Sequence, residues 1–484
     1  MTITPFEPAH ILALLPEILL VVLAGLVMGL DLAWPESRRR ALGLVAAIGL
    51  FLIAGAALAF ARPAETLLLF GGMIRHDFAT LVFRTVFAAA GAITCLISLD
   101  VEGVGRKGEY YMILIASVIG MNLMAAAADL IMLYLALETT SITLYLLAGY
   151  LRDDERSAES GLKYFLFGAL TSTVMLYGLS LLYGFTGETG YYAIAEKLAI
   201  TDVAPLPIIA AAILVAVGFG FKVAAVPFHF WTPDVYEGAP TPITAFISVA
   251  SKTAGFAVLM RVFLAVFPPS VETSWTSMIT AMAAVTMTLG NALAIPQKNI
   301  KRLLAYSSIA HAGYVLVGFV ALSQRGVAAA IFYLVAYVLT NLAAFTVVIV
   351  FARVTGSEQI YDYAGLSRRS PGLALAMLVA MLSLGGMPPL AGFFAKFYVF
   401  AAAIQSDLIW LAVVGVLNAI VGMYYYLIVL RVVYVDRSEH EDKPIAVPRP
   451  YAFVLGLMVV GIVLLGTASA PWFGWAMAAA GNLF

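Results

Sequence analysis

Five charged residues interrupt long apolar stretches of this 484-residue chain, at positions where a charge is costly. One is a carboxylate, Glu138, and four are lysines, namely Lys163, Lys222, Lys252 and Lys396. A charged side chain at the centre of a membrane helix costs about 2.5–3.5 kcal/mol, so five of them facing lipid would cost on the order of 12–17 kcal/mol. We therefore expect these residues to face the interior of a helical bundle, where they pair with one another or contact water.

Four lysines and one carboxylate form an unbalanced set, and this imbalance suggests proton transfer. Glu138 can pair with one lysine, for which we expect Lys222, and the other lysines keep like-charged neighbours or none. Burial and like-charged neighbours both favour the neutral form of a lysine, so such residues can exchange protons near neutral pH. The row is a candidate proton relay. Two structural alternatives remain: Glu138 and its lysine form a packing clamp, or Lys163 extends its ammonium group to the membrane surface.

Two histidines extend this row. His311 lies at about mid-depth of its apolar stretch, in the segment YSSIAH. His229 follows Lys222 by seven residues, which places it close to the same helical face if the helix continues through Pro227. Because imidazole exchanges protons near neutral pH, we add both to the candidate relay. Alternatively, His311 is a hydrogen-bonded core residue and His229 caps a broken helix.

The composition identifies a polytopic membrane protein. Apolar residues make up 63% of the chain, against about 45–50% in soluble domains, and the mean hydropathy is +0.98. The net charge of −1 argues against a surface that binds nucleic acid. The single cysteine, Cys95, excludes an internal disulfide, and the sequence shows no cysteine cluster or phosphate-binding loop for redox or nucleotide chemistry.

Fourteen apolar stretches are long enough to cross a membrane as helices. They lie near residues 10–31, 40–60, 78–98, 110–127, 129–150, 160–185, 206–226, 241–267, 273–295, 302–322, 327–352, 371–404, 408–431 and 451–470. The loops on one side hold 17 lysines and arginines and the opposite loops hold 4. By the positive-inside rule, both termini lie outside and the basic loops face the cytoplasm. Arg84 and Arg261 lie near the outer ends of their spans, and we expect both to extend to the interface.

Two of these stretches are too long for a single uninterrupted crossing. Residues 206–240 contain Val226-Pro227 and residues 371–404 contain Gly-Gly-Met-Pro-Pro at 385–389, so both helices should break inside the membrane. They are the seventh and the twelfth spans. If spans 4–8 and 9–13 form two five-helix units, each break falls in the fourth helix of its unit. Because five is odd, the second unit is inverted, an arrangement typical of ion pathways.

The predicted organisation therefore has four parts. Residues 1–109 form three N-terminal spans, 110–267 the first five-helix repeat, 268–434 the second, inverted repeat, and 435–484 a C-terminal span with its tail. The fold class is all-α, with about 14 transmembrane helices and discontinuous helices 7 and 12.

These motifs together resemble one family, the antiporter-like membrane subunits of respiratory complex I (NADH:quinone oxidoreductase). The resembling segments are VPFHFWTPDVYEGAPTPITAF at 226–246, Ser251-Lys252, Leu137 to Ser141, Lys163 to Phe165, NIKRLLAYSSIAH at 299–311 and GGMPPLAGFFAK at 385–396. Within the family, WTPDVYEGAPTP at 231–242 is similar to the subunit N group rather than to subunits M and L. The resemblance covers residues 10–470.

The resemblance implies a proton-translocating role coupled to electron transfer from NADH to quinone in other subunits. By similarity, Glu138 and Lys222 are the coupling pair, and Lys163 links towards the cytoplasm. Lys252 is then the central relay lysine and Lys396 the outlet lysine. This chain would be a non-redox subunit of a translocase, with NADH, FMN, iron–sulfur clusters and quinone bound in or near other subunits.

The resemblance also implies a location and partners. The chain would lie in the bacterial inner membrane, beside neighbouring antiporter-like subunits and the lateral helix of subunit L. Two alternatives stay open. The chain could belong to a multi-subunit sodium/proton antiporter or a membrane-bound hydrogenase, or it could be a scaffold whose buried charges only hold neighbouring subunits.

Overall fold

The structure, a computed structural model, describes residues 8–200, 203–439 and 441–484 and consists almost entirely of helices. In the first half these are α1 (Pro8–Ala13), α2 (Leu15–Ala33), α3 (Arg40–Phe60), α4 (Phe78–Ser98), α5 (Gly108–Ala126), α6 (Leu130–Ala148), α7 (Glu155–Thr186), α8 (Tyr191–Ile200), α9 (Pro205–Val223), α10 (Trp231–Gly238), α11 (Thr241–Phe246) and α12 (Lys252–Val266). In the second half they are α13 (Pro269–Ala294), α14 (Ile300–Val320), α15 (Gln324–Thr355), α16 (Leu366–Arg369), α17 (Pro371–Gly385), α18 (Ala391–Gln405), α19 (Ile409–Tyr434), α20 (Arg449–Thr467) and α21 (Ser469–Ala480).

The predicted spans are confirmed as helices of the expected length and polarity. Within the described ranges, 13 helices are long and apolar enough to cross a membrane, with α11 and α12 counted as one. The predicted span at 371–404 is the pair α17 and α18, two shorter apolar helices. The tight turn between the fourth and fifth spans is also present, because α5 ends at Ala126 and α6 begins at Leu130, with Asp129 as its N-cap.

Both predicted helix breaks are present. The chain leaves the α conformation after Val223 and again after Gly385, and in each case the next residue is left-handed: Ala224 has φ 59° and Gly386 has φ 88°. Each break then contains a cis X-Pro bond, Val226–Pro227 or Pro388–Pro389. Proline provides no backbone donor, so the carbonyl groups at the ends of α9 and α17 are free for other partners.

Matched local structures occur in the two halves of the bundle. The helices α7 and α15 each have 32 residues and each ends at a left-handed glycine, Gly187 or Gly356, with φ 71° in both cases. The loop before α6 pairs through Asp129 with the chain after α7, and the loop before α14 pairs through Asn299 with the chain after α15. Asp129 and Asn299 also cap their helices through side-chain oxygens. The same local arrangement is thus built twice.

Several elements were not predicted from the sequence. A short antiparallel hairpin of β1 (Leu67–Leu69) and β2 (Ile74–His76) follows α3. The helix α21 follows the last span, and α8 lies between α7 and α9. The eighth span contains a π-helical turn, Ile247–Ser251, directly before Lys252. Such turns insert one extra residue into a helix and occur often at functional sites.

The expectation that Arg84 and Arg261 extend to the membrane interface is wrong. Arg84 is 1% exposed and pairs with Glu17 at 2.8 Å, while Arg261 is 2% exposed. Arg261 donates to both carboxylate oxygens of Asp77, at 2.9 and 3.1 Å. Burial alone would raise the pKa of Asp77, but Arg261 and Arg75 hold it below its usual value. The hairpin places Asp77 at the end of α12, and this tertiary contact has no signal in the local sequence.

Candidate functional site

Three of the predicted lysines and His311 lie inside the bundle. Lys222 and Lys252 are each 3% exposed, Lys396 is 6% exposed and His311 is 5% exposed. Lys222 is the next-to-last residue of α9, before the first break, and Lys396 lies in α18, after the second break. The α9 helix packs against α12 one turn beyond Lys252, where Gly255 leaves room for the Lys222 side chain.

Lys252 is held by α14. Its ammonium group donates to the carbonyl oxygen of Ser308 at 2.7 Å and also to the Ser308 hydroxyl. The same hydroxyl lies 3.3 Å from the hydroxyl of Tyr236. Tyr236 is fully buried and belongs to α10, the short helix that follows the first break. Lys252 is therefore connected through two hydroxyl groups to the interrupted span.

His311 is bonded to two tyrosines and lies within electrostatic range of two lysines. Its Nδ1 is 2.7 Å from the Tyr333 hydroxyl and its Nε2 is 3.2 Å from the Tyr426 hydroxyl, so both ring nitrogens have partners. Which nitrogen carries the proton is set by these two hydroxyl groups. Lys252 and Lys396 both act electrostatically on the imidazole ring. The predicted proximity of His311 to the lysines is thus present, and so are the hydrogen bonds expected of a core histidine.

Lys396 uses the second helix break. Its ammonium group donates to the carbonyl oxygens of Leu384 and Gly385, at 2.9 and 3.0 Å. These carbonyls belong to the last turn of α17 and are available because the helix stops there. The ammonium group also lies 5.1 Å from the centre of the Tyr314 ring, a cation–π contact. The break therefore solvates a buried cation that has no carboxylate partner among the described residues.

Glu138 and Lys222 interact without touching. The negative charge of Glu138 acts electrostatically on Lys222, but in the described structure no nitrogen–oxygen distance between the two side chains is 4.0 Å or less. The Oε1 of Glu138 and the Nζ of Lys222 are both buried without a hydrogen-bond partner. A packing clamp would show a direct ion pair, so this geometry does not favour that alternative.

Lys163 forms part of an ion-pair cluster. Its ammonium group lies 2.7 Å from Glu159 and 2.6 Å from Asp234 of α10. Arg302 of α14 pairs with the same Asp234 at 3.0 Å and with Glu237 at 2.8 Å. These groups line an open cleft at the end of the bundle where the basic loops lie. Lys163 thus reaches an open cleft at the surface, as the alternative expected, and its ammonium group is also paired with Asp234 of the interrupted span.

The condition under which His229 would share a helical face with Lys222 is not met. The helix does not continue through Pro227, because α9 ends at Val223 and α10 begins at Trp231. The His229 ring lies 4.5 Å from the Phe230 ring, and its Nδ1 is buried without a hydrogen-bond partner among the described residues. His229 therefore lies within the break and not on the face of α9 that carries Lys222.

Sequence reasoning missed the hydroxyl groups and the ion-pair partners that surround these charges. They are Asp234, Tyr236, Glu237, Arg302, Ser307, Ser308, Tyr333 and Tyr426. Asp234 and Glu237 could have been recognised from the sequence, because they are two acidic residues in an otherwise mostly apolar motif. Tyr333 and Tyr426 had none, since buried tyrosines are common in any helical bundle.

Comparisons with known proteins agree on one family. The family model for "NADH:quinone oxidoreductase/Mrp antiporter, TM" matches residues 127–422. NADH-quinone oxidoreductase subunit N from Moorella thermoacetica is 43% identical over 478 residues, which covers 98% of this chain and 99% of the relative. The subunit N from Anaeromyxobacter sp. is 41% identical, with 95% of this chain and 94% of the relative covered.

Solved structures show the same fold. A chain of respiratory complex I from Thermus thermophilus is similar with a TM-score of 0.80 and 32% identity, covering 95% of this chain and 98% of that chain. A chain of the Mrp complex from Dietzia sp. is similar with a TM-score of 0.87 and 20% identity, covering 99% of this chain and 98% of the other. At that identity the second likeness concerns the fold alone.

Proposed function

The chain belongs to the NADH-quinone oxidoreductase subunit N family, and we propose that it translocates protons across the membrane within that oxidoreductase. Electron transfer from NADH to quinone takes place in other subunits, and this chain contributes a non-redox proton channel. The observation that carries the proposal is the buried row of Lys252, His311 and Lys396. Each of these groups is hydrogen-bonded to neutral partners, so each can gain or lose a proton without breaking an ion pair.

Proton uptake starts in the cytoplasmic cleft. Lys163 and Asp234 line that cleft and share an ion pair at 2.6 Å. Tyr236 lies two residues after Asp234 on the same short helix, and its hydroxyl contacts the Ser308 hydroxyl that accepts from Lys252. A hydroxyl donates and accepts at once, so Tyr236 and Ser308 can pass a proton to a neutral Lys252. Lys163 acts here as the link to the cytoplasmic side.

From Lys252 the proton moves to His311 and then to Lys396. The imidazole can accept on one nitrogen and release from the other, which suits a position between two lysines. Lys396 lies on the far side of the second break, where the free carbonyls of Leu384 and Gly385 stabilise its charged form. We assign Lys396 as the outlet group. His229 is placed outside this path and positions the first break.

Glu138 and Lys222 couple the path to electron transfer. A carboxylate near a lysine favours the protonated lysine. Because the two groups are not in direct contact, a change of charge at this end of the subunit can alter their attraction without first breaking a hydrogen bond. Weakening that attraction favours release of the Lys222 proton into the row.

We also propose the four-part organisation of residues 1–109, 110–267, 268–434 and 435–484. The matched helices α7 and α15, their glycine ends and the two equivalent helix breaks support a repeat of five helices. An odd number of spans inverts the second unit. The 17-to-4 distribution of basic residues supports both termini on the outer side of the inner membrane. Neighbouring antiporter-like subunits and the lateral helix of subunit L are the proposed partners.

The proposal is tested on the complete assembly. The tagged chain is purified from its own membranes in mild detergent, and NADH:quinone reductase activity is measured in the purified fraction. The complex is then reconstituted in liposomes with Lys252→Met, which keeps the volume of the side chain but not its charge. We expect an assembled complex with a lower proton-to-electron ratio. Lys298→Met, in an exposed loop, is the matched control and should pump normally.

Each other outcome identifies a different function. A large assembly without NADH:quinone reductase activity would indicate a sodium/proton antiporter or a hydrogenase instead. Failure of the Lys252→Met chain to assemble, with normal assembly of the control, would indicate a scaffold. A Lys252→Met complex with the full proton-to-electron ratio would exclude Lys252 from the path.

A further inference from the structure

An apolar crevice opens where α4, α15, α20 and α21 meet. It has a volume of about 330 Å³, within the range of ~300–1,000 Å³ typical of ligand pockets. Its walls are formed by side chains such as Val86, Val335, Leu464 and Trp475, and Thr85 is the one hydroxyl-bearing residue among the described lining residues. The exposed face of α20, with Phe453 and Leu464, leads into this crevice. The opening therefore faces the lipid rather than the bundle interior.

The crevice has the length of one membrane leaflet. On α4 its lining extends from Val82 to Ile93, a rise of about 16 Å, and half of a hydrocarbon core is about 15 Å. An extended hydrocarbon chain that spans one leaflet therefore matches the length of this apolar crevice.

A polar cleft continues from the outer end of the crevice. Trp475 lines both, and the cleft is further lined by Arg62, Glu65 and Asp77. Asp77 is already paired with Arg261, whereas Arg62 and Glu65 are exposed. Two available charges of opposite sign thus lie at the water boundary beside the crevice. Tryptophan at this level is typical of the membrane interface.

We propose that this crevice and cleft bind a zwitterionic phospholipid with a primary amine, such as phosphatidylethanolamine. One acyl chain fills the crevice between α4 and α20. The phosphate accepts hydrogen bonds from the Arg62 guanidinium, and the ammonium group of the head donates to the Glu65 carboxylate. An anionic lipid such as phosphatidylglycerol would satisfy Arg62 alone, because its glycerol head carries no positive charge to pair with Glu65. This lipid site is separate from the proposed proton relay and includes neither the relay lysines nor His311.

The test uses the whole complex in liposomes that contain phosphatidylethanolamine with a photoreactive diazirine in one acyl chain. After illumination, cross-linked peptides of this chain are identified by mass spectrometry. We expect cross-links in α4 and α20, and their loss in Ala89→Phe, which fills the crevice. Arg62→Gln removes a charge-assisted hydrogen bond and should lower cross-linking about tenfold. Leu135→Phe, at an exposed position of α6 away from the crevice, should leave it unchanged.

Three results would overturn the proposal. The first is an absence of cross-links in α4 and α20 of the unmodified complex, and the second is equal cross-linking in Ala89→Phe. The third is a protein–protein cross-link from Leu464→Cys to a neighbouring subunit, which would mean that a protein segment covers the crevice. Phosphatidylglycerol with the same photoreactive chain tests the head group. Its cross-linking should be weaker than that of phosphatidylethanolamine in the unmodified complex and comparable to it in Glu65→Gln.

Discussion

Tyr236→Phe removes a single hydroxyl from the proposed uptake path and leaves the surrounding packing in place. The Tyr236 ring contacts the Trp231 and Phe345 rings at centroid distances of 6.2 and 6.5 Å, and phenylalanine can keep both contacts. What is lost is the hydrogen bond at 3.3 Å to the Ser308 hydroxyl. The change therefore removes the hydrogen bond that connects α10, which lines the cytoplasmic cleft, to the partner of Lys252.

The expected loss of stability is small and the expected loss of proton transfer is large. A neutral hydrogen bond contributes about 0.5–1.5 kcal/mol to stability. Ser308 keeps its hydrogen bond with Lys252, so the substitution does not leave this hydroxyl unpaired. A positioned acid–base group accelerates proton transfer by about 10²–10⁴-fold. We therefore expect an assembled complex in which uptake through this chain is slowed at least about 100-fold.

The assay is the proton-to-electron ratio of the complex in sealed liposomes, measured together with its thermal unfolding temperature. Tyr363→Phe is the matched control, because Tyr363 is also fully buried and its hydroxyl has no hydrogen-bond partner among the described residues. The control should pump normally. A normal ratio in Tyr236→Phe would refute the uptake path, and an equal loss in both variants would show that the effect is structural.

Two further predictions concern buried groups at the outer end of the bundle. Asp77→Asn leaves the Arg261 guanidinium buried without its counter-charge, so the free energy of unfolding, measured by thermal denaturation, should fall by about 3–5 kcal/mol. Adding Arg261→Met should recover most of this stability. Burial and the nearby Arg84 lower the pKa of His76 to about 4, against about 6.5 in an unfolded chain. As the pH falls from 6.5 to 4 the unfolded state binds a proton that the native state does not, so stability should decrease over this window. His76→Gln should reduce that decrease, and an unchanged slope would contradict the assignment.

The positions of the spans, their breaks and the buried charges were determined by the sequence itself. Hydropathy is a sum over neighbouring residues, and proline breaks a helix through its own ring and its missing N–H group. For this reason the breaks at Pro227 and at Pro388-Pro389 could be located without a structure. The cost of a charge in lipid likewise required Lys222, Lys252 and Lys396 to face inwards before any contact was known.

Only the tertiary structure decided what each of those charges contacts. Lys252 binds Ser308, 56 residues away in the chain, and Arg261 binds Asp77, 184 residues away. The same holds for the surroundings of His229, whose ring lies against that of Phe230 inside the first break. Helix periodicity predicts neighbours within one helix but not the rotation of one helix against another. The polar partners of a buried charge are therefore set by packing, whereas its burial is set by its neighbours in the sequence.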